Sequence, residues 1–212
     1  MCRRTHFPVA IGPDRVDRDR NMRIITGSAK GIRLKVPKTG VRPTTDRTKA
    51  AMFSWLNQGV VDAVVLDLFA GTGNLGIEAL SRGANSAVFV ESSPETVAIL
   101  KQNLNATKLA TRADLRASLV SAYLRNGPPS RKFDIIFCDP PWIEKGADSD
   151  WVAWILEKEI LPSFLEPGGW FILEAPSERR LDTGPYWETK DKRRYGTTTL
   201  YFLRPATPGG DG

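Results

Sequence analysis

A chain of 212 residues with 41% hydrophobic and 25% charged residues is long enough for one sizeable core and too apolar for disorder. Two cysteines, Cys2 and Cys138, and a single histidine, His6, leave a disulfide framework, a zinc site and a His-dependent nucleophile without their residues. The formal charge of +6 is lopsided: residues 1–60 hold 13 Lys/Arg against 4 Asp, and residues 61–212 hold 17 against 20 acids. A basic excess confined to one end suits a polyanion such as nucleic acid. No apolar run approaches bilayer length, and the run behind Arg3 and Arg4 is too short for a signal peptide, so a cytoplasmic setting is expected.

Residues 1–21 carry no apolar period and read as a disordered tail, which makes Met22 a candidate start. Residues 22–58 read as a small N-terminal β-hairpin and helix. Arg23 to Thr26 and Ile32 to Val36 are its strands, turned at Gly27 and Gly31. Pro43-Thr44-Thr45 opens the helix, with Ala51, Met52, Trp55 and Leu56 on one face.

From residue 63 strands and helices alternate. Strands are expected at Ala63–Leu68, Ser86–Glu91, Phe133–Asp139 and Gly169–Glu174, with a weaker one in Leu109–Asp114. Helices are expected near Leu75–Arg82, Glu95–Ala106, Leu115–Arg125 and Trp151–Leu161. That alternation means a doubly wound, mostly parallel sheet in an α/β domain over residues 59–204. Tyr186–Lys190 and Thr197–Leu203 read as a closing hairpin around Gly196, and residues 205–212 as a disordered tail.

The first strand runs into Asp67-Leu68-Phe69-Ala70-Gly71-Thr72-Gly73-Asn74-Leu75-Gly76. Glycines there allow a tight strand-to-helix turn and let a ligand lie against backbone. Gly71, Gly73 and Gly76 fit G-x-G-x-x-G, and Glu91 ends the next strand where an acid can hold a ribose. A nicotinamide dinucleotide fits that spacing, and so does a purely structural turn. Asp67 weighs against the dinucleotide, because its carboxylate would repel a pyrophosphate. It suits the ammonium and sulfonium groups of S-adenosylmethionine (SAM), which is favoured here as cofactor.

Asp139-Pro140-Pro141-Trp142 follows the fourth strand, at the carboxyl end where ligands bind in open α/β sheets. The prolines stiffen the turn, and Asp139 with the Pro140 carbonyl can offer two fixed acceptors to a planar amine. Trp142 offers a face for stacking a base. The alternative is an ordinary turn closed by a core aromatic. Cys138 reads as a core residue, Trp151 and Trp154 as packing, and Asn103 and Asn105 as solvent-facing or capping.

The segments RIITGSAKGIRLKVP, RPTTDRTKAAMFSWL, LDLFAGTGNLGIEALSRGA, FVE, DPPW and YGTTTLYFLR occur in this order over residues 22–204. In them the chain resembles the bacterial 16S rRNA (guanine(966)-N(2))-methyltransferase family, within the class I SAM-dependent methyltransferases. The resemblance implies a seven-stranded Rossmann-like sheet and an N-terminal extension that helps to bind rRNA. It implies cofactor binding by Asp67, Phe69, Gly71, Gly73, Glu91 and Asp114, the last beside the adenine, and catalysis by Asp139, Pro140 and Trp142. RNA contacts are expected at Arg23, Lys30, Arg33, Lys35, Arg42, Thr44 and Arg47, with Lys38 on the same hairpin. Ala50 stands where the family usually has Glu, and Trp142 where it has Phe or Tyr.

The expected activity is methyl transfer to N2 of a guanine in 16S rRNA, free or in the assembling 30S subunit, by a monomer with no metal and no membrane. An N6-adenine methyltransferase would share the Asp-Pro-Pro loop. An NAD-dependent oxidoreductase would share the glycine loop, and a nucleic-acid-binding protein with an idle site would share the charge.

Overall fold

The computed structural model describes residues 22–37, 46–141 and 150–207. The expected tail at 1–21, and Lys38, Arg42, Thr44 and Trp142, lie outside the described residues. Among the described residues no helix is long and apolar enough to cross a membrane.

Strands β1 (Val64–Leu68), β2 (Ser86–Glu91), β3 (Ala113–Ala117), β4 (Phe133–Cys138), β5 (Leu165–Pro176), β6 (Trp187–Tyr195) and β7 (Thr198–Pro205) form one sheet. Its order is β3-β2-β1-β4-β5-β7-β6, and β7 alone runs against the rest. All five residues of β1 are buried, as befits a central parallel strand covered on both faces.

Among the described residues five helices cover the sheet. On one face, α1 (Asp46–Leu56), α2 (Asn74–Ser81) and α3 (Pro94–Ala106) pack Phe53, Ile77 and Leu100 against Val65, Phe89 and Phe137. On the other, α4 (Val120–Arg125) and α5 (Trp151–Leu156) pack Leu124 and Ile155 against Leu66, Ile136 and Leu173. Cys138 is buried in this second layer, and burial pushes its thiol well above the usual range.

Several expected elements fall differently. The weak strand is β3, displaced to Ala113–Ala117, so helix α4 starts at Val120 and not at Leu115. Its residues A-D-L-R-A lie at the sheet's edge and are mostly exposed, which removes the apolar run that marks an inner strand. α5 ends at Leu156, short of Leu161, and a separate 3-10 turn spans Leu161–Phe164.

The N-terminal strands reduce to a single bridge between Arg23 and Arg33. The reason is where the backbone donors go. Ile25 and Thr26 give their N–H groups to the Glu78 carboxylate, Ser28 to the Ser81 carbonyl and Ala29 to Ser81 Oγ. Three cross-strand bonds remain, from Ile24 N–H to the Ile32 carbonyl, Gly31 N–H to the Ile24 carbonyl and Leu34 N–H to the Met22 carbonyl, and the turn between them satisfies the end of α2.

Candidate active site

The carboxyl ends of four adjacent strands each bring an acid to one edge of the sheet. Asp67 is on β1 and Glu91 on β2, Asp139 follows β4, and Glu174 is on β5. Side chains alternate along a strand, and these four share parity with Val65, Phe89, Phe137 and Ile172, so they belong to the face of α1 to α3.

Asp67 is 2% exposed, and its Oδ2 accepts the Gly76 N–H at 2.8 Å, closing the loop behind β1. Burial raises its pKa to about 7; the Gly76 hydrogen bond opposes the rise, and the charges of Asp139 and Glu91 add to it. Glu91 braces the same loop, with Oε2 accepting Gly71 N–H at 2.9 Å and Oε1 accepting Ser93 N–H at 2.8 Å.

The glycines do separate jobs. Gly73 starts α2 at φ +89°, and a Cβ there would lie 2.4 Å from Leu100 Cδ1. At Gly76 a Cβ would lie 2.3 Å from Phe89, so α2 can approach β2 only over a bare backbone. Phe69 holds a left-handed φ of 59°, a strain of about 1–3 kcal/mol for a bulky residue, with its ring 5.4 Å from that of Trp151. Trp151 in turn meets Trp154, so both pack as expected.

Asp139 is half-buried and Pro140 buried at the mouth of β4. Asp139 stands next to Glu174 across the strand pair, since Cys138 pairs with Leu173. Glu174, which the sequence analysis passed over, is 5% exposed and accepts Thr198 Oγ1–H at 3.3 Å.

The structure does not bring Asp114 to this edge. It pairs with Val88, while Glu91 pairs with Ala117, so Asp114 sits toward the amino end of β3. Its carboxylate binds Arg116 at 2.6 Å and lines a cavity of about 530 Å³ with Ser86 and Arg131, at the opposite end of the sheet. Ser118, just beyond β3, stands at the carboxyl edge and donates its N–H to the Glu91 carbonyl at 2.9 Å.

The matching family model, "Conserved hypothetical protein 95", spans residues 22–204. Ribosomal RNA small subunit methyltransferase D of Escherichia coli (strain K12) is 38% identical over 73% of this chain and 71% of its own length. The enzyme of that name in Haemophilus influenzae is 31% identical over 82% of this chain and 89% of its own. This chain belongs to that family.

Solved structures agree. A hypothetical protein of Thermus thermophilus superposes with a TM-score of 0.70 at 31% identity, covering 86% of this chain and 98% of that one. An RNA methyltransferase of Salinibacter ruber, solved with S-adenosyl-L-homocysteine, shares the fold at 19% identity and a TM-score of 0.57, over 80% of this chain and 97% of that one. The class I methyltransferase fold and SAM as cofactor follow for this family member, as the sequence led us to expect.

The residues present fit that cofactor. At Gly71 the nearest atom to an added Cβ is 3.9 Å away, so open space lies against the loop backbone. The acids around it favour a cationic ligand over a pyrophosphate.

The basic residues expected to meet RNA are exposed: Arg23, Lys30, Arg33 and Lys35 on the hairpin and Arg47 on α1. Arg23 pairs with Asp46 at 3.0 Å, and Lys35 Nζ donates to Gln102 at 2.8 Å.

Beneath them lies a buried polar clamp that the sequence analysis missed. Lys49 is fully buried; its Nζ donates to the Arg23 carbonyl and to Asn74 Oδ1, both at 2.7 Å, and lies 3.2 Å from Glu78. Burial lowers its pKa, with Glu78 opposing. Asn103, expected to face solvent or to cap, is 1% exposed: it accepts Lys35 N–H and donates to the carbonyls of Lys35 and Thr72. The signal was available, because Lys49 falls at helical spacing with Met52, Phe53 and Leu56, and Asn103 with Leu100 and Leu104.

Proposed function

We propose that this chain transfers the methyl group of SAM to the exocyclic N2 of a guanine in 16S rRNA. The observation that carries the reading is the pairing, on adjacent strand ends, of a braced glycine loop with the Asp139-Pro140 acceptor pair. Bound against Gly71 and Glu91, SAM supplies an electrophilic methyl group.

Asp139 and the Pro140 carbonyl accept the two amine hydrogens of the base. That draws the nitrogen lone pair out of ring conjugation and holds it toward the cofactor. Asp139 then receives the proton that N2 must lose. Holding both reactants in line supplies much of the remaining acceleration. In the sequence Trp142 follows Pro141, and stacking of the base on its indole belongs to this reading. The RNA is held by the basic residues of the N-terminal extension.

The test supplies labelled SAM and unmodified small ribosomal subunits to the purified protein, then identifies the labelled nucleoside. N2-methylguanosine supports the reading; N6-methyladenosine, or no label, overturns it. Asp139→Ala should lower kcat by about 10²–10⁴-fold with SAM affinity within a few-fold. A matching loss of SAM affinity would move Asp139 to the cofactor.

A further inference from the structure

The second basic run of the sequence, Lys190 to Arg194, is split by the sheet. A register shift between Thr189 and Asp191 leaves Asp191 and Arg193 opposite Phe202 and Leu200, and Lys192 and Arg194 opposite Tyr201 and Thr199. The first pair faces α1, where Asp191 accepts the Trp55 indole N–H at 2.8 Å and the Arg193 Nε–H at 3.0 Å. The second pair turns to the face of α4 and α5. There, Arg179 and Arg180 from the segment after β5 join it around a cleft of about 520 Å³.

Arg179 is already committed: it donates to Asp150, which also accepts the Ala153 N–H at the start of α5. Arg180, Lys192 and Arg194 are exposed, and among the described residues no carboxylate lies within ion-pair distance of them. Arg23, Arg116 and Arg193 elsewhere on the surface each have such a partner. The cleft thus concentrates three uncompensated cations.

Its position gives that charge a use. Thr199 pairs with both Arg194 and Ala175, next to the last residue of β5, so the cleft lies at the sheet edge that also carries Asp139. The site acids occupy one face of that edge and the cleft the other. A chain of phosphates crossing the edge would meet the extension on one side and the cleft on the other. The exposed large apolar residues among those described, Val61, Leu119 and Ile160, are not in the cleft, and its own apolar lining, Leu181 and Tyr201, is half-buried or buried, which leaves little to anchor a lipid surface.

We propose that Arg180, Lys192 and Arg194 bind the phosphodiester backbone of the RNA substrate beside the nucleotide that enters at Asp139. This rests on the reading that the substrate is RNA. The test titrates the full-length protein with a fluorescent 16S-derived transcript over a salt series. R180A/K192A/R194A should bind about tenfold or more weakly at low salt, with the slope of log K against log salt reduced by about two to three units. R180K/R194K, which keeps the charge on the same elements, should retain the slope, and SAM affinity should not change.

An unchanged slope in the alanine variant overturns the proposal. So does a defect confined to inorganic phosphate or to anionic lipid vesicles, or an equal loss in the lysine variant. The nucleoside assay scores the base separately: N6-methyladenosine with a reduced slope would overturn the guanine reading and leave the cleft standing.

Discussion

Two basic regions reach the same edge of the sheet and are fastened to it by different chemistry. The C-terminal hairpin is held mainly by strand ladders and ring contacts, with the Trp55 indole donating to Asp191. Trp187 lies 4.6 Å from Phe171, and the Arg204 guanidinium sits 3.5 Å above Trp170. The N-terminal extension is held by buried polar bonds through Lys49, Glu78, Ser81 and Asn103, together with Met22, Ile24 and Leu34 in the core and the apolar face of α1. Two of those bonds end on the glycine loop, at Thr72 and Asn74. Apolar packing is non-directional and tolerates small shifts; a buried hydrogen bond does not. The extension and the glycine loop are therefore linked directly by buried hydrogen bonds, and the hairpin reaches α1 through Trp55, one step further from that loop.

The strongest way to break this contrast is Lys49→Met. It strands the buried Glu78 carboxylate with one fewer counter-charge and removes one hydrogen bond from Asn74 and one from the Arg23 carbonyl. A loss of about 3–5 kcal/mol in urea denaturation is expected, together with weaker SAM binding. Trp187→Ala is the matched change in the hairpin, about 3–5 kcal/mol by loss of packing, and should leave SAM affinity unchanged. Equal effects of the two on SAM would end the distinction. Asn103→Leu is a smaller version of the first change. It leaves the Lys35 N–H and the Thr72 carbonyl without their partner, at about 1–3 kcal/mol.

The same contrast explains what could be read from the sequence. Inner strands were legible because β1, β2 and β4 are apolar runs whose ends carry the glycine loop, Glu91 and Asp139. The extension was legible as charge and not as structure. Ile25, Thr26 and Ala29 give their backbone N–H groups to Glu78 and Ser81, more than fifty residues away, and no local pattern encodes that. Asp114 misled because an acid near the expected strand looks alike in either register. The displacement of β3 to Ala113–Ala117 carried it from the site edge to the opposite one.

Asp67 sharpens the comparison through pH. Its carboxyl is raised from 3.8 to about 7, so between those values the folded chain keeps a proton that the unfolded chain releases. Its contribution to stability is therefore full below about pH 4 and falls as pH rises to about 7. A cationic ligand favours the ionised form, so SAM affinity should rise across the upper part of that window, by about tenfold from pH 6 to pH 8. Asp67→Asn can still accept the Gly76 N–H and should flatten the profile; a profile unchanged in that variant assigns the titration elsewhere. Variants in the hairpin should keep the wild-type profile.

The finest test uses two neighbours on β6. Arg193 and Arg194 are adjacent in sequence, carry the same charge and are both exposed, so a model based on total charge gives them equal weight in RNA binding. The sheet gives them opposite faces: Arg193 is paired with Asp191 beside α1, and Arg194 lines the cationic cleft. Arg193→Ala should leave the melting temperature and the salt slope unchanged, because an exposed pair contributes little. Arg194→Ala should lower the slope by about one unit. Equal changes in the two variants would mean that the RNA senses the basic run as a whole, and that the division of β6 into two faces has no part in binding.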